Sequence, residues 1–366
     1  MCDKCQCLKE DKFITCTLYR LINYGIEQSP VYLFKTLLNN MISTDTDECR
    51  LAIKSKDFYL DVIKGLRENP KRLSSKYFYD KKGDSLFEAI MHSPDYYLTR
   101  CEMEIFTRQA EKIVDSIRNQ NTCFELIELG PGNCAKSIHL LHALIQENAT
   151  FNYVPIDISA NVISELRSFL PIHAPNLRFN GLVGDYFDAL SVHSLSPGTR
   201  KVVMCLGGNI GNMTVAESNQ FCKRLRSYLQ PGDRCIIGFD LIKHPAIIRQ
   251  AYDDSAGLTK EFNLNLLTRI NRELDADFRV DQFDHYCSYD PLTGAAKSYL
   301  VSLGDMVVSI SGDLVSFEKG ECIWTEISQK YTKDQIRQMA ADNGFMHSTE
   351  FLDSKSWFMD ALWTAV

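Results

Sequence analysis

The spacing of hydrophobic positions changes near residue 124 and divides the chain into parts with different patterns. Before that point, apolar side chains recur at helical spacing and predict helices over residues 57–68 and 100–118, with an aromatic turn between them at 76–80. After it, short apolar runs alternate with helical stretches, and the runs cover residues 124–129, 152–157, 177–183, 201–206 and 234–239. This alternation predicts an α/β fold with a parallel sheet covered on both faces.

Residues 242–328 interrupt the alternation. They begin with a helical part at 245–274 and continue with strands at 283–289, 296–303 and 307–310. A helix at 333–343 and a strand around residues 357–363 then resume the earlier pattern. The order predicts a second lobe that is inserted before the sheet is completed.

The composition and charge of the 366 residues restrict the partners of the chain. A hydrophobic fraction of 45% and a charged fraction of 24% are typical of a globular protein. The net charge of -7 argues against nucleic acid and anionic membranes as partners, because both need a basic face. The chain has neither a signal-peptide pattern nor an apolar run of the ~20 residues that cross a bilayer. We therefore expect a cytoplasmic protein, with the monomer favoured.

The thirteen cysteines do not predict a disulfide framework, because their number is odd and their spacing irregular. Cys2, Cys5 and Cys7 form a cluster near the N-terminus, with Cys16 further along. A structural zinc site needs four ligands, commonly in two separated pairs. We expect no metal here and interpret residues 1–56 as a helical leader.

A glycine turn follows the first strand of the alternating part. Its sequence, E-L-G-P-G over residues 128–132, places Gly130 and Gly132 where a backbone can approach a ligand closely. Such a turn serves either the pyrophosphate of a dinucleotide or the methionine part of S-adenosylmethionine. The turn alone leaves both cofactors open.

The ends of the following strands favour S-adenosylmethionine. Asp157 ends the second strand, where a carboxylate can accept hydrogen bonds from both ribose hydroxyls. Asp185 ends the third strand beside Tyr186, and this pair can bind the amino group and the ring of adenine. Gly207 follows the fourth strand at the same edge of the sheet. A nicotinamide-dependent oxidoreductase and a structural turn flanked by exposed acids are the alternatives.

Several longer strings resemble the histidine-specific methyltransferase family. They are KYFYD at 76–80, PDYYLTRCE at 94–102, GGNIGN at 207–212, AYDD at 251–254, NREL at 271–274 and TEIS at 325–328. The resemblance covers residues 57–366 in unbroken order. It implies a class I, Rossmann-like core of seven strands with an added α+β substrate lobe. It also implies methyl transfer from S-adenosyl-L-methionine to the α-amino group of a free amino acid, with L-histidine as the first candidate.

The resemblance implies a role for individual residues. Asn212 and Tyr252 match the positions that hold the substrate carboxylate, and Glu326 and Ser328 match the pair that binds the imidazole. Cofactor-side or pocket positions match Tyr79, Tyr96, Gly130, Lys136, Asp157 and Asp185, and we add Tyr186 and Gly207 to the cofactor side. Tyr79 and Tyr96 are the candidate catalytic residues, because a tyrosine hydroxyl or a bound water can relay the proton that an α-ammonium must lose.

The predicted organisation has five segments. After the leader come the first part of the substrate lobe (57–100), the methyltransferase core (101–241), the inserted substrate-binding lobe (242–328) and the completion of the core sheet (329–366).

One departure from the family keeps the substrate open. The family's histidine enzymes carry a methionine where this chain has Ser298, and a smaller polar residue would enlarge the pocket and suit a tryptophan-like amino acid. Other interpretations also stay open: Tyr96 and Tyr252 as core aromatics, Asn212 as a helix cap, and Glu326 and Ser328 on a solvated edge strand. A binding module without catalysis is a further alternative.

Overall fold

The computed structural model describes residues 56–118, 123–192 and 199–366. The cysteine cluster and nearly all of the predicted leader lie outside the described residues. Residues 61–366 form one compact unit.

The strands and helices follow each other in the order that the sequence predicts. The strands are β1 (Lys71–Arg72), β2 (Phe124–Leu129), β3 (Phe151–Asp157), β4 (Leu182–Val183), β5 (Arg200–Cys205), β6 (Arg234–Asp240), β7 (Phe283–Asp290), β8 (Ala295–Ser302), β9 (Met306–Ile310), β10 (Asp313–Phe317), β11 (Cys322–Gln329), β12 (Phe345–Leu352) and β13 (Phe358–Ala365). The helices are α1 (56–66), α2 (Lys81–His92), α3 (Tyr97–Arg108), α4 (Ala110–Ile117), α5 (Ser137–Gln146), α6 (Ala160–His173), α7 (Tyr186–Val192), α8 (Val215–Ser227), α9 (Pro245–Tyr252), α10 (Leu258–Glu273) and α11 (Lys333–Asp342).

The main sheet has seven strands in the order β12-β13-β6-β5-β2-β3-β4. β2 to β6 are parallel, whereas β13 runs antiparallel between β6 and β12. All six residues of β2 are buried, as expected for a central strand with helices on both faces. One hydrophobic cluster lies on each face of this sheet, so both faces are covered by apolar side chains.

A smaller sheet of four strands has the order β1-β11-β8-β7, and β9 pairs with β10 in a separate hairpin. β1 precedes the main sheet in the sequence, and β7, β8 and β11 lie between β6 and β12. β1 pairs in parallel with β11, so a short segment that precedes the core in the sequence forms a sheet with a strand that follows most of it.

Four element predictions need correction. The single helix predicted over 100–118 is two helices, because Gln109 leaves helical geometry (φ -125°) and its side chain donates to the carbonyl of Leu352. The helical part at 245–274 is α9 and α10, since the Asp254 carboxylate caps the start of α10.

The strand predicted at 177–183 has only two residues in regular β structure, apart from a single β-bridge at Phe179. β12 was not predicted, because its half-exposed residues lack a continuous apolar run.

Among the residues that the structure describes, no helix is both long and apolar enough to cross a membrane.

A tight contact joins the two sheets and supplies a stability test. Gly211 packs so closely on β11 that an added Cβ would lie 2.9 Å from the carbonyl oxygen of Gln329. We expect Gly211→Ala to lower the free energy of unfolding by about 1–3 kcal/mol, measured by denaturant titration, because backbone must shift. Gly304→Ala is the control, since its Cβ would meet nothing within 4 Å. Equal effects of the two substitutions would contradict this account.

Candidate active site

The glycine turn has the backbone that a close-binding cofactor loop requires. Gly130 and Gly132 have φ values of 71° and 53°, in the left-handed region that other residues adopt at a cost. The Gly130 N–H donates to the carbonyl of Ile156, which ties the turn to β3. Glu128 is buried under the turn, where it accepts hydrogen bonds from the Tyr153 and Ser137 hydroxyls. Glu128 therefore supports the turn from inside.

Tyr186 lies against this turn. Its hydroxyl oxygen is 2.6 Å from the position that a Cβ on Gly130 would take. Burial raises the pKa of Tyr186 above its ordinary value, so the phenol stays neutral. The structure thus brings Tyr186 and Gly130 into one groove.

The two predicted carboxylates lie at adjacent strand ends. Asp157 ends β3, accepts from the Ser159 N–H at 2.8 Å, and has its pKa raised by burial. Asp185 is exposed after β4, and its Oδ1 accepts from the N–H groups of Phe187 and Asp188, so it caps α7. One oxygen suffices for this cap, and a ligand can use the other.

Lys136 and Gly207 meet at a carboxylate that the sequence did not single out. Glu102 on α3 is buried, accepts from the Gly207 N–H at 2.7 and 2.9 Å, and pairs with the Lys136 ammonium. Asp360 on β13 is also buried, and its pKa lies well above the ordinary value because of burial and the nearby Glu102. Glu102 thus binds both the Gly207 backbone and the Lys136 side chain.

An aromatic wall connects the segment before the core with the insertion. Neighbouring rings in this wall meet edge to face. The distance between ring centroids is 5.7 Å for Tyr79 and Phe87, 6.4 Å for Phe87 and Tyr96, and 6.2 Å for Tyr96 and Tyr252. Burial, followed by Tyr252 and Glu326, raises the pKa of Tyr96 well above its ordinary value. Tyr96 and Tyr252 are therefore neutral phenols, and both pack against the hydrophobic core on one face of the main sheet.

Tyr252 belongs to a buried polar network. Its hydroxyl is 2.6 Å from the Ser328 hydroxyl, and the Lys330 ammonium donates to both oxygens at 2.7 Å. Lys330 is fully buried and forms an ion pair of 2.7 Å with Asp240, the last residue of β6. Burial alone would raise the pKa of Asp240, but Lys330 and Lys243 hold it below its ordinary value.

Glu326 and Ser298 face each other across β11 and β8. Burial raises the pKa of Glu326 to about 7, against the opposing effects of the Lys330 charge and a hydrogen bond from Ser298. Ser298 is 2% exposed, and its hydroxyl is engaged with the carboxylate. Ser328, two residues along β11, is also buried, whereas Glu326 is half-buried and borders a cleft, so the solvated-strand interpretation is wrong for Ser328.

Asn212 ends a short 3-10 helix, Asn209–Asn212, that follows β5. It is exposed and borders the same cleft as Glu326. Thr214 caps α8 through a capping box with Glu217, so the interpretation of Asn212 as the helix cap is wrong.

The residues that the sequence analysis missed had weak signals. Asp240 follows the same rule as Asp157, an acid at the carboxyl end of a parallel strand. Lys330 continues the alternation of Glu326 and Ser328 and therefore shares their side of the strand. The pairing of Glu102 with Gly207 joins residues 105 positions apart and left no local pattern.

The sheet order, the left-handed glycine turn and the acids at successive strand ends define a class I S-adenosylmethionine-dependent methyltransferase. The model of the histidine-specific, S-adenosylmethionine-dependent methyltransferase family matches residues 58–365, and the chain belongs to this family. The predicted fold class, enzyme class and cofactor are thereby confirmed, and the nicotinamide-dependent alternative is not favoured.

Known relatives support the same family. The histidine N-alpha-methyltransferase of Mycobacterium tuberculosis is 36% identical over 75% of this chain and 85% of its own. The enzyme of the same name from Mycolicibacterium smegmatis is 32% identical over 80% of this chain and 90% of its own.

The glycine turn supplies a test of cofactor binding. Gly130→Ala combines a left-handed φ with a Cβ that displaces Tyr186, whereas Gly132→Ala adds a Cβ with nothing within 4 Å. Backbone strain amounts to about 1–2 kcal/mol in each. We expect calorimetry to show a loss of S-adenosylhomocysteine affinity of at least ~10-fold for Gly130→Ala and a smaller loss for Gly132→Ala. Failure of Tyr186→Phe to relieve the Gly130→Ala defect would contradict the proposed clash.

The raised pKa of Glu326 predicts a pH-dependent stability. Below pH 4.5, the ordinary pKa of a glutamate, the Glu326 carboxyl is mostly protonated in the folded protein and in the unfolded chain. Between pH 4.5 and about 7, the unfolded chain ionises this carboxyl while the folded protein keeps it protonated. The wild-type protein should therefore lose stability across this range, and Glu326→Gln should not. We expect the variant to gain about 1–3 kcal/mol relative to wild type between pH 4.5 and 8, by denaturant titration. Glu111→Gln, at an exposed site of α4, controls for the loss of one charge. A gain independent of pH would refute the shift.

Proposed function

We propose that this protein transfers methyl groups from S-adenosyl-L-methionine to the α-amine of L-histidine and forms its trimethyl betaine. The observation that carries the proposal is the position of half-buried Glu326 and buried Ser328 on the same side of β11, with Ser328 bonded to Tyr252 of the aromatic wall. A carboxylate acceptor and a hydroxyl donor match the N–H and the second nitrogen of a neutral imidazole. The names of the relatives support the same substrate.

The residues at the sheet edge fit the cofactor. Gly130 and Gly207, both at positive φ, leave room for its methionine part, and Asp157 and Asp185 offer carboxylate oxygens to its ribose and adenine. Tyr186 closes the groove beside Gly130, and Lys136 with Glu102 holds Gly207 in place. When bound, the cofactor supplies an electrophilic methyl group on a sulfonium.

We assign the other end of the substrate to Asn212 and Tyr252. An amide and a phenol each offer a donor to a carboxylate. Tyr252 lies within the buried network at Ser328, and Asn212 borders the cleft at Glu326. A substrate held at both ends presents its amine in one place, and such positioning can contribute up to ~7–11 kcal/mol to methyl transfer.

Tyr79 and Tyr96 are our candidates for orienting the amine. The pKa of both phenols lies above its ordinary value, so neither serves as a phenolate base at neutral pH; Tyr96 is the more buried of the two, whereas Tyr79 is 46% exposed. Their hydroxyl oxygens accept a hydrogen bond from the amine and direct its lone pair. The α-ammonium has a pKa near ~8 and is mostly protonated at neutral pH, so it must give its proton to water, directly or through a tyrosine hydroxyl, before the methyl group is transferred.

Ser298 favours histidine over a tryptophan-like amino acid. Its hydroxyl is engaged with Glu326, so it strengthens the acceptor for an N–H and does not simply enlarge the pocket. An indole offers one N–H donor and no ring acceptor, so it gives the Ser328 hydroxyl no acceptor on the substrate.

We further propose that the small sheet is the substrate lobe, with the boundaries predicted above, and that the enzyme is a cytoplasmic monomer. The described cysteines are free thiols, as expected in a reducing compartment.

The proposal predicts that purified protein with S-adenosylmethionine adds one to three methyl groups to L-histidine, observed by mass spectrometry against the other common amino acids. Glu326→Ala should lower kcat/KM for histidine by at least ~100-fold, because the imidazole N–H loses its acceptor. Its affinity for S-adenosylhomocysteine should stay within about threefold. Equal losses in both quantities would remove Glu326 as a substrate-binding residue, and no methylation of any free amino acid would overturn the proposal.

A further inference from the structure

The strand β11 contains one irregularity. Its pairing with β8 is regular up to Trp324, which lies opposite Tyr299, and it resumes at Glu326, which lies opposite Ser298. The register passes over Thr325, which is therefore the extra residue of a β-bulge. Bulges of this kind redirect the side chains that follow them.

The bulge changes which residues of β11 share a face. Successive residues of a strand point to opposite faces, and cross-strand partners point to the same face. Before the bulge Ile323 lies opposite Leu300, and after it Glu326 lies opposite Ser298. Leu300 and Ser298 are two residues apart and share a face. Ile323 and Glu326 are three residues apart and share that face only because of the extra residue.

A regular strand would present different side chains on this face. Counted from Ile323 without a bulge, Thr325 would take the position of Glu326, and Ile327 would take that of Ser328. Glu326 would then point to the opposite face of the small sheet. The acceptor that we assign to the imidazole N–H therefore depends on one extra residue.

A buried hydrogen bond ties the bulge to α10. The Thr325 hydroxyl donates to Oδ1 of Asn263 at 2.7 Å, and the carbonyl of Ser298 lies 3.1 Å away as a second acceptor. The Asn263 Nδ2 donates to the Thr259 carbonyl, so its Oδ1 faces Thr325 and can only accept. Asn263 and Thr325 are both buried, so water does not compete for this bond.

The neighbouring strand β1 does not extend past the bulge. It pairs with β11 at Ile323 and Trp324. Beyond these residues, the same side of β11 borders a cleft whose lining includes Glu326 and Asn212. The position of Glu326 is therefore fixed by β8 and by the anchors of the bulge.

We propose that Asn263 and Thr325 are positioning residues for the substrate, because their hydrogen bond holds the bulge that directs the Glu326 carboxylate toward the imidazole. This inference rests on the proposed methylation of histidine. Ser328 has an anchor of its own in the Tyr252 hydroxyl at 2.6 Å, so loss of the bond at Asn263 should act chiefly on Glu326.

The first variant removes the hydroxyl and keeps the shape of the side chain. Thr325→Val should raise the KM for histidine about tenfold and leave kcat within about threefold, because a small misplacement of the carboxylate weakens its bond to the imidazole. Thr325→Ser keeps the hydroxyl and should match wild type. Calorimetry should give both variants the wild-type affinity for S-adenosylhomocysteine, which also shows that the core is folded.

Further variants separate positioning from general structural damage. Asn263→Leu removes the acceptor and should raise the same KM, and the double variant with Thr325→Val should be little worse than either single variant. In the Glu326→Ala background, Thr325→Val should lower kcat/KM by less than about threefold, because the bulge acts through Glu326. Ser302→Ala on β8 is the control, since Ser302 is buried and donates to the Gly304 carbonyl at 2.7 Å. It should leave the KM for histidine unchanged.

The outcomes are distinguishable. An unchanged KM for histidine in Thr325→Val would overturn the inference, and so would a raised KM in Ser302→Ala or an undiminished effect of Thr325→Val in the Glu326→Ala background. If Thr325→Val does not bind the cofactor, the KM of Asn263→Leu decides in its place. If the wild-type protein does not methylate histidine, the proposed function fails, and the inference fails with it.

Discussion

The burial of one carboxylate, Asp240, shapes the junction between the two sheets. Asp240 ends β6 of the main sheet, and its partners come from three other places: Tyr97 at the start of α3, Lys243 in the following loop, and Lys330 just after β11. A charge without partners at this depth would destabilise the fold by several kcal/mol. The position of β11 relative to the sheet edge is therefore tied to this network.

The same constraint brings the two functional halves together. With β11 placed by Lys330, Ser328 meets Tyr252 and Glu326 meets Ser298, and the aromatic wall from Tyr79 to Tyr252 closes the side of the pocket. The cofactor half depends on a second buried carboxylate, Glu102, which holds Gly207 and Lys136. Each half of the site thus has an anion beneath it that the reaction itself does not use.

The electrostatic character of the pocket follows from this arrangement. Asp240 has both Lys243 and Lys330 as partners, and burial lowers the pKa of Lys243 below its ordinary value. Glu326 lies two residues before Ser328 on β11, and burial raises its pKa to about 7.

The sequence by itself determined the alternating strands, the glycine turn, and the acids at the ends of β3 and β4, because these are local patterns with fixed periods. The motif resemblance added the family and its site residues. Only the tertiary structure decided the break at Gln109, the short β4, and the partners of Asp240 and Glu102. Those features depend on contacts between residues up to about 240 positions apart, and no local period records such contacts.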